Sequence, residues 1–405
     1  MATKDEVLRL LQEKNEEYIS GQEMAETLHV TRAAVWKAIK SLEKEGCAIE
    51  AVTNRGYRLG RALDVIDAPY IERSLRESGL NVKVIFKEET GSTNEDARGA
   101  LRDWVSAGGS EGDSMGGSMG NSVDDSGGDH TGDPAGKQRA VLVIADKQNA
   151  GRGRRGRDFY SPPGTGLYMS LAMGNVQEVL KMAKVTAVAA VAVATAADET
   201  VFGGTDRTKI KWVNDIYLDE KKVCGILSEA FMPMEDEGDG CVVVGIGINV
   251  YEPAGGFPDD IDNKAGALIT IHASSKDTVD GSGTEDRKVN GYVAEDRNGN
   301  ELSVADEVTD NPGRTGLRSV LASRVIANFF KYMENPGLSL HKYREKSYLT
   351  GYEVIINDFR NEQKDGKNKT AKVIGIDDEC RLVVEYPDGR REALSSGEVS
   401  VVKSR

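Results

Sequence analysis

Cysteine and histidine are scarce: Cys47, Cys224, Cys241 and Cys380, with His29, His130, His272 and His341, are all there are in 405 residues. No two cysteines stand at CxxC spacing and no HExxH occurs. That argues against a disulfide framework, a cysteine-bound zinc and a histidine-metal enzyme, and it fits a reducing, cytoplasmic compartment. Long apolar runs are missing too. The longest, Val185–Ala197, falls short of the ~20 residues that span a bilayer, so it predicts a buried helix over 181–200 and no membrane partner. The N-terminus has no apolar core of a secretory signal. Basic charge is in deficit, with 52 Lys and Arg against 66 Asp and Glu, net −14. Such a chain meets nucleic acid only through a local basic patch.

What is abundant is glycine, 45 residues, and the excess is local. Ten of the 32 residues in 106–137 are glycine. That segment lacks the apolar surface to offset its ordering entropy, so it is expected to be a disordered insertion. Residues 272–316 form a second polar stretch with little periodicity, read the same way. The remaining regions are 1–62, helical with a terminal hairpin; 63–105 and 138–271, alternating strand and helix signals; and 317–405, a helix followed by short strands. Strands are expected at 82–86, 141–145, 167–172, 209–213, 225–230 and 242–250. The tail from Tyr352 reads as a small β-barrel or sandwich, with a hairpin turn at Pro387-Asp388-Gly389-Arg390.

Residues 20–61 have the pattern of a winged helix-turn-helix. Ser20 and Thr31 are candidate N-caps of two helices, and Ala34, Val35, Ala38, Ile39 and Leu42 recur at helical spacing in the second. Residues 47–52 and 56–59 flank a turn as the wing. Residues 1–30 carry three basic and seven acidic side chains, whereas 31–61 carry seven basic and three acidic. The candidate DNA contacts are therefore Thr31, Arg32, Trp36, Lys37 and Lys40 on the second helix and Arg55 and Arg58 on the wing. A helical oligomerisation module with a solvated basic face is the alternative.

Four motifs carry chemistry. Gln148-Asn149-Ala150-Gly151-Arg152-Gly153-Arg154-Arg155-Gly156-Arg157 follows a strand and precedes Phe159. Its guanidinium forks suit phosphate and carboxylate, and its glycines suit a mobile loop that folds over a ligand. Thr90-Gly91-Ser92-Thr93-Asn94-Glu95 reads as a capping box from Ser92 to Glu95, a ligand-binding helix start, or both. Lys211-Trp212-Val213-Asn214-Asp215 leads through a tight hairpin to Lys222 and Gly225, and Lys222 is expected to aim an ammonium into a pocket. Val244-Gly245-Ile246-Gly247-Ile248-Asn249 reads as a strand whose glycines allow close ligand approach.

Together these motifs, between a winged helix and a small β-domain, resemble bacterial biotin protein ligases of the bifunctional ligase and biotin-operon-repressor type. The resemblance covers nearly the whole chain outside the two insertions. It implies a multidomain α+β protein: a winged helix (1–62), a central α/β, class II synthetase-like catalytic domain with a mixed sheet (63–345) and a C-terminal SH3-like β-barrel (346–405). It implies that biotin and ATP with Mg²⁺ give biotinyl-5′-AMP. The biotin then passes to a lysine of a carboxylase carrier domain, and the adenylate-bound form dimerises on operator DNA. It assigns Ser92, Thr93, Asn94 and Gln148 to biotin, with Arg152, Arg154, Lys222 and Gly225 at its carboxyl end. Arg154, Arg157, Phe159, Asn214 and Asn249 fall to the nucleotide, and Arg154, Lys222 and Asp215 to catalysis, with no protein metal ligand. Phe159 and Val213 stand where such ligases often have Trp and Pro. A ligand-sensing transcription factor without ligase activity and a lipoate-type ligase are the competing readings.

Overall fold

Buried positions at helical spacing set the first module. The computed structural model describes residues 3–13, 18–44, 49–52, 55–59, 64–106, 140–174, 182–231, 240–253, 255–273, 292–295, 316–357 and 369–402. Helices α1 (Thr3–Glu13), α2 (Gly21–Thr27) and α3 (Arg32–Lys44) enclose Val7, Leu11, Ile19, Met24, Val35, Ile39 and Leu42. Ser20 Oγ accepts from the Glu23 amide at 3.0 Å and Thr31 Oγ1 from the Ala34 amide at 3.2 Å. Each satisfies a donor that a helix start leaves open. The wing is an antiparallel pair, β1 (Ile49–Val52) and β2 (Gly56–Leu59), and Ile19 bridges to Tyr57 on its other side. Cys47, Thr53, Asn54 and Arg61 lie outside the described residues.

The central sheet contains β3 (Val82–Thr90), β4 (Ala140–Gln148), β5 (Gly166–Gly174), β6 (Lys209–Lys211), β7 (Asp215–Leu218), β8 (Lys221–Phe231) and β9 (Cys241–Asn249). Their order is β3-β4-β5-β9-β8-β7-β6; β3 and β4 run parallel and the other neighbours antiparallel. Period-two alternation splits the side chains between faces. Val141, Val143, Ala172 and Val243 meet Ala97 and Leu101 of α5 (Thr93–Ser106), which starts at the expected place and ends where the first insertion begins. Leu142, Ile144, Leu171 and Val244 face the other side, toward the same core as α6 (Met182–Val201) and, after α4 (Ala68–Glu77), α7 (Leu317–Glu334). Helix α6 is built mostly of alanine and valine and is buried nearly all round.

The expected disorder of 106–137 lies outside the described residues from 107 on. The second polar stretch, read as structureless, contains a ladder: β10 (Thr270–Ala273) pairs antiparallel with β11 (Tyr292–Glu295). Four-residue strands are too short for periodicity to reveal. Helix α8 (Pro336–Glu345) also escaped the sequence reading; Pro336 at its first turn suits a helix start.

The tail folds as β12 (Glu353–Asn357), β13 (Lys369–Ile376), β14 (Leu382–Glu385), β15 (Arg391–Leu394) and β16 (Glu398–Val401). They form one antiparallel sheet in the order β15-β14-β13-β12-β16. A bend at Ser395–Gly397 separates β15 from β16. The tail's buried side chains are continuous with the central core, and Trp212 Nε1 donates to the Cys380 carbonyl at 3.0 Å. Residues 346–348 extend the edge of the central sheet: the Ile210 amide donates to the Lys346 carbonyl at 2.7 Å, and the Tyr348 amide to the Ile210 carbonyl at 2.8 Å. Among the described residues no helix is long and apolar enough to cross a membrane.

Candidate active site and nucleic-acid interface

Strand register brings the motifs to one face. Across the sheet, Lys211 pairs with Asp215, Asp215 with Gly225, Gly225 with Gly247 and Gly247 with Tyr168; in the next row Leu227 pairs with Gly245 and Gly245 with Ser170. Helix α5 packs against one part of this face, and the remainder floors a cleft of about 1010 Å³. Its walls are the arginine loop, residues 257–265 and residues 397–400 of the tail.

Lys222 reaches the cleft through a β-bulge. Asp215 pairs with Gly225 and Ile216 with Cys224, but Tyr217 pairs with Lys222, so Val223 is the extra residue. Without it, alternation would put Lys222 on the core side with Cys224. With it, Val223 and Cys224 are both buried and Lys222 Nζ lies 2.8 Å from Asp215 Oδ1. Burial pushes the Cys224 thiol well above its ordinary pKa, so it serves as an apolar filler.

One end of the cleft is a polar network. The Thr93 amide and Oγ1 donate to Gln148 Oε1 at 3.0 and 3.1 Å, and Gln148 Nε2 donates to Ser161 Oγ at 3.0 Å. Ser170 Oγ donates to Asn94 Oδ1 at 2.6 Å and lies 2.7 Å from Thr93 Oγ1; Asn94 Nδ2 donates to Glu229 at 2.7 Å. Ser92 is buried beside them. The expected capping box takes another form: Glu95 pairs with Arg152 at 2.8 Å, because its long side chain finds a guanidinium beyond the helix start.

The strand glycines make room, though not directly for a ligand. A Cβ on Gly245 would lie 2.1 Å from Asn94 Oδ1, and one on Gly247 would lie 2.5 Å from the Phe159 ring. The close approach read from the motif is thus made by two of the chain's own site residues. Gly225 is similarly tight, its Cβ position 3.2 Å from both Lys222 Nζ and Phe159.

The arginine loop is a small hairpin. The Gly153 amide donates to the Arg157 carbonyl at 2.7 Å and the Phe159 amide to the Gly151 carbonyl at 2.8 Å. Arg154 Nη1 donates to Asn214 Oδ1 at 3.1 Å, while Asn214 Nδ2 donates to the Ile226 carbonyl at 2.8 Å. Arg157 crosses to the tail and pairs with Glu398 at 2.7 Å. Asn249 lines the cleft, its Nδ2 donating to the Gly266 carbonyl at 2.9 Å. Among the described residues no group of three or more His, Cys, Asp or Glu is arranged to hold a metal ion.

Sequence reading missed Ser170, Glu229, Ser161 and Lys211 as site residues. A lone serine within Leu167–Met173 was the visible signal for Ser170, which is wholly buried. Lys211 Nζ donates to the Tyr217 hydroxyl at 3.3 Å, and burial pulls its ammonium below the ordinary lysine pKa.

On the first module, Arg32, Trp36, Lys37 and Lys40 share the outward stripe of α3, opposite Val35, Ile39 and Leu42; Trp36 is 56% exposed. Thr31 sits exposed at the helix start and Arg55 at the wing turn. Arg58 lies on β2.

A ligase-type cleft behind a winged helix defines a class, and comparison with known proteins agrees. Residues 3–58 match a family model described as HTH domain, 134–249 the Biotin/lipoate A/B protein ligase family, and 362–402 the Biotin protein ligase C terminal domain. The Bifunctional ligase/repressor BirA of Bacillus subtilis (strain 168) is 32% identical over 263 residues, 65% of this chain and 70% of that protein. The protein of that name from Escherichia coli (strain K12) is 29% identical over 58% of this chain and 60% of its own length. A solved structure of the biotin protein ligase from Aquifex aeolicus, in complex with biotin and ATP, aligns with 80% of this chain and 99% of that one, at 22% identity and a TM-score of 0.48. The chain belongs to the family of bifunctional biotin protein ligase/repressors.

Proposed function

We propose that the chain joins biotin and ATP into biotinyl-5′-AMP, transfers the biotin to a lysine of a biotin carboxyl carrier domain, and represses transcription through its winged helix. The observation that carries the ligase reading is the placement of a polar network and a cationic centre on one sheet face. Ser170 lies on β5, and Lys222 Nζ lies beside Gly225 on β8, two strand spacings across the sheet and one side-chain row along the same face. That separation suits a ligand with a hydrogen-bonding head and a carboxylate arm. Ser92, Thr93, Asn94 and Gln148 take the ureido head; Arg152, Arg154 and Lys222 take the carboxylate, with Gly225 leaving them room. Phe159, Asn214, Asn249 and Arg157 take the nucleotide.

Two anions must meet when a carboxylate attacks a phosphate. Arg154 and Lys222 lower that repulsion and stabilise the charge on the phosphoryl oxygens. A magnesium ion bound with ATP would add to the positive charge that Arg154 and Lys222 supply at the phosphates. The product is an anhydride that water destroys, and the arginine hairpin excludes water from it. Asp215, on Lys222, is placed to accept the proton of the incoming lysine amine. A dithiolane offers no hydrogen-bond donor to the Asn94–Ser170–Gln148 network, which favours biotin over lipoate.

The repressor reading rests on the exposed basic stripe of α3. Dimerisation of the adenylate-bound form would present two heads to two operator half-sites. Incubation with biotin, MgATP and a carrier domain, followed by an avidin blot, tests the ligase. Labelling is expected with biotin only and only with ATP; labelling independent of ATP defeats it.

A further inference from the structure

The cleft's cations divide into two kinds. Arg152, Lys222 and Arg157 are each held by a carboxylate: Glu95, Asp215 and Glu398. Arg154 and Lys211 donate to neutral oxygens, those of Asn214 and Tyr217. Among the described residues neither has a carboxylate within ion-pair distance, and Lys264 lies exposed at the rim. Arg154 has a role at the reacting centre. Lys211 has none so far, yet it is half-buried and supported: its ammonium lies 5.2 Å from the centre of the Tyr217 ring, on which Tyr348 stacks at 5.1 Å. Asp215 and Glu398 act on it only from beyond ion-pair distance and are themselves paired with Lys222 and Arg157, so a half-buried ammonium with a neutral hydrogen-bond partner gains from an anion that joins it.

Position identifies the anion. Lys211 ends the row Gly247–Gly225–Asp215–Lys211, two strand spacings, about 10 Å, beyond Gly225. A carboxylate whose head lies at Ser170 arrives at Lys222 from the β9 side. In an in-line displacement its oxygen forms a bond to the α-phosphorus. The bond from that phosphorus to the α,β-bridging oxygen breaks, and the electron pair leaves with pyrophosphate on the opposite side. That side is toward β7 and β6.

We infer that Lys211 holds the leaving pyrophosphate of the adenylation step. The inference rests on the ligase reading above and adds a residue to it. Lys211 meets the charge that gathers on the bridging and β-phosphoryl oxygens, and it takes no part in biotin binding or in the later transfer to lysine.

The test compares full-length wild type, Lys211→Ala and Lys211→Arg in the reverse reaction, biotinyl-5′-AMP with pyrophosphate giving ATP and biotin. Biotin Kd and single-turnover transfer from isolated biotinyl-5′-AMP to a carrier domain are measured alongside. Lys211→Ala should raise the KM for pyrophosphate about ten- to a hundredfold, the size of one charge-assisted contact, while biotin Kd and transfer move less than about threefold. Lys211→Arg should recover most of the loss. An unchanged pyrophosphate KM overturns the inference, and a transfer defect with normal pyrophosphate KM gives Lys211 to the acceptor side instead. Wild type that forms no biotinyl-5′-AMP brings down the ligase reading itself.

Discussion

Lys222 owes its place to one extra residue, and its replacement should separate chemistry from stability. Lys222→Ala is expected to slow adenylate formation about 10²- to 10³-fold, the usual cost of one transition-state donor. Unfolding free energy should fall by no more than about 1 kcal/mol, because the pair with Asp215 is partly exposed. Biotin–pyrophosphate exchange and urea unfolding together check this, and near-normal exchange removes Lys222 from the mechanism. Gly247→Ala is the complementary case. Its Cβ would sit 2.5 Å from the Phe159 ring, forcing that ring out of the cleft. ATP binding should weaken at least about tenfold, with overpacking strain of roughly 1–3 kcal/mol. Calorimetric titration with a non-hydrolysable ATP analogue tests it. At this scale the sequence was legible where chemistry is local: the arginine loop, Lys222 and the caps at Ser20 and Thr31. It was opaque where partners are distant, as for Asn94 with Glu229, or where a strand's alternation slips at Val223.

Between elements, the most telling contact is a buried lysine. Lys346, just past α8, bonds to Asp198 near the end of α6 and to Asp206 before β6, and Lys346 and Asp198 are each less than a tenth exposed. Asp198 also accepts from the Thr208 amide at 3.0 Å. Lys346→Met removes the cation and leaves a buried carboxylate, so it should destabilise by about 3–5 kcal/mol. Lys346→Met with Asp198→Asn should recover part of that loss; equal instability of single and double variants in urea unfolding would refute a pairing role. Helices and strands with sustained apolar patterns were readable, α6 above all. Boundaries yielded less, because the tail shares its core with the central domain. The β10–β11 pair consists of four-residue strands 18 residues apart, which leave no periodic trace.

For the whole molecule, the separate cores of winged helix and ligase predict separable activities. Deleting residues 1–62 should leave carrier biotinylation within about threefold and abolish operator binding, since phosphate contacts supply much of such affinity. Gel shifts on DNA upstream of biotin genes, with and without biotin and ATP at two salt concentrations, measure the second half; ligand-independent binding by the full chain would end the idea of gating. The join between the parts is narrower than that separation suggests. Asp64 is clasped by the buried Arg318, which donates to its carbonyl from Nε at 2.9 Å and reaches Asp146 at 2.7 Å, two residues before Gln148. The Arg318 amide also donates to Asp64 Oδ2 at 2.8 Å. From Leu59, at the end of the wing, to this anchor the chain spans five peptide units, at most about 17 Å. So short a leash confines the head to a small volume of space around the ligase. In the dimer proposed above, the distance between two DNA-bound heads would be a length measured out by the ligase bodies beneath them.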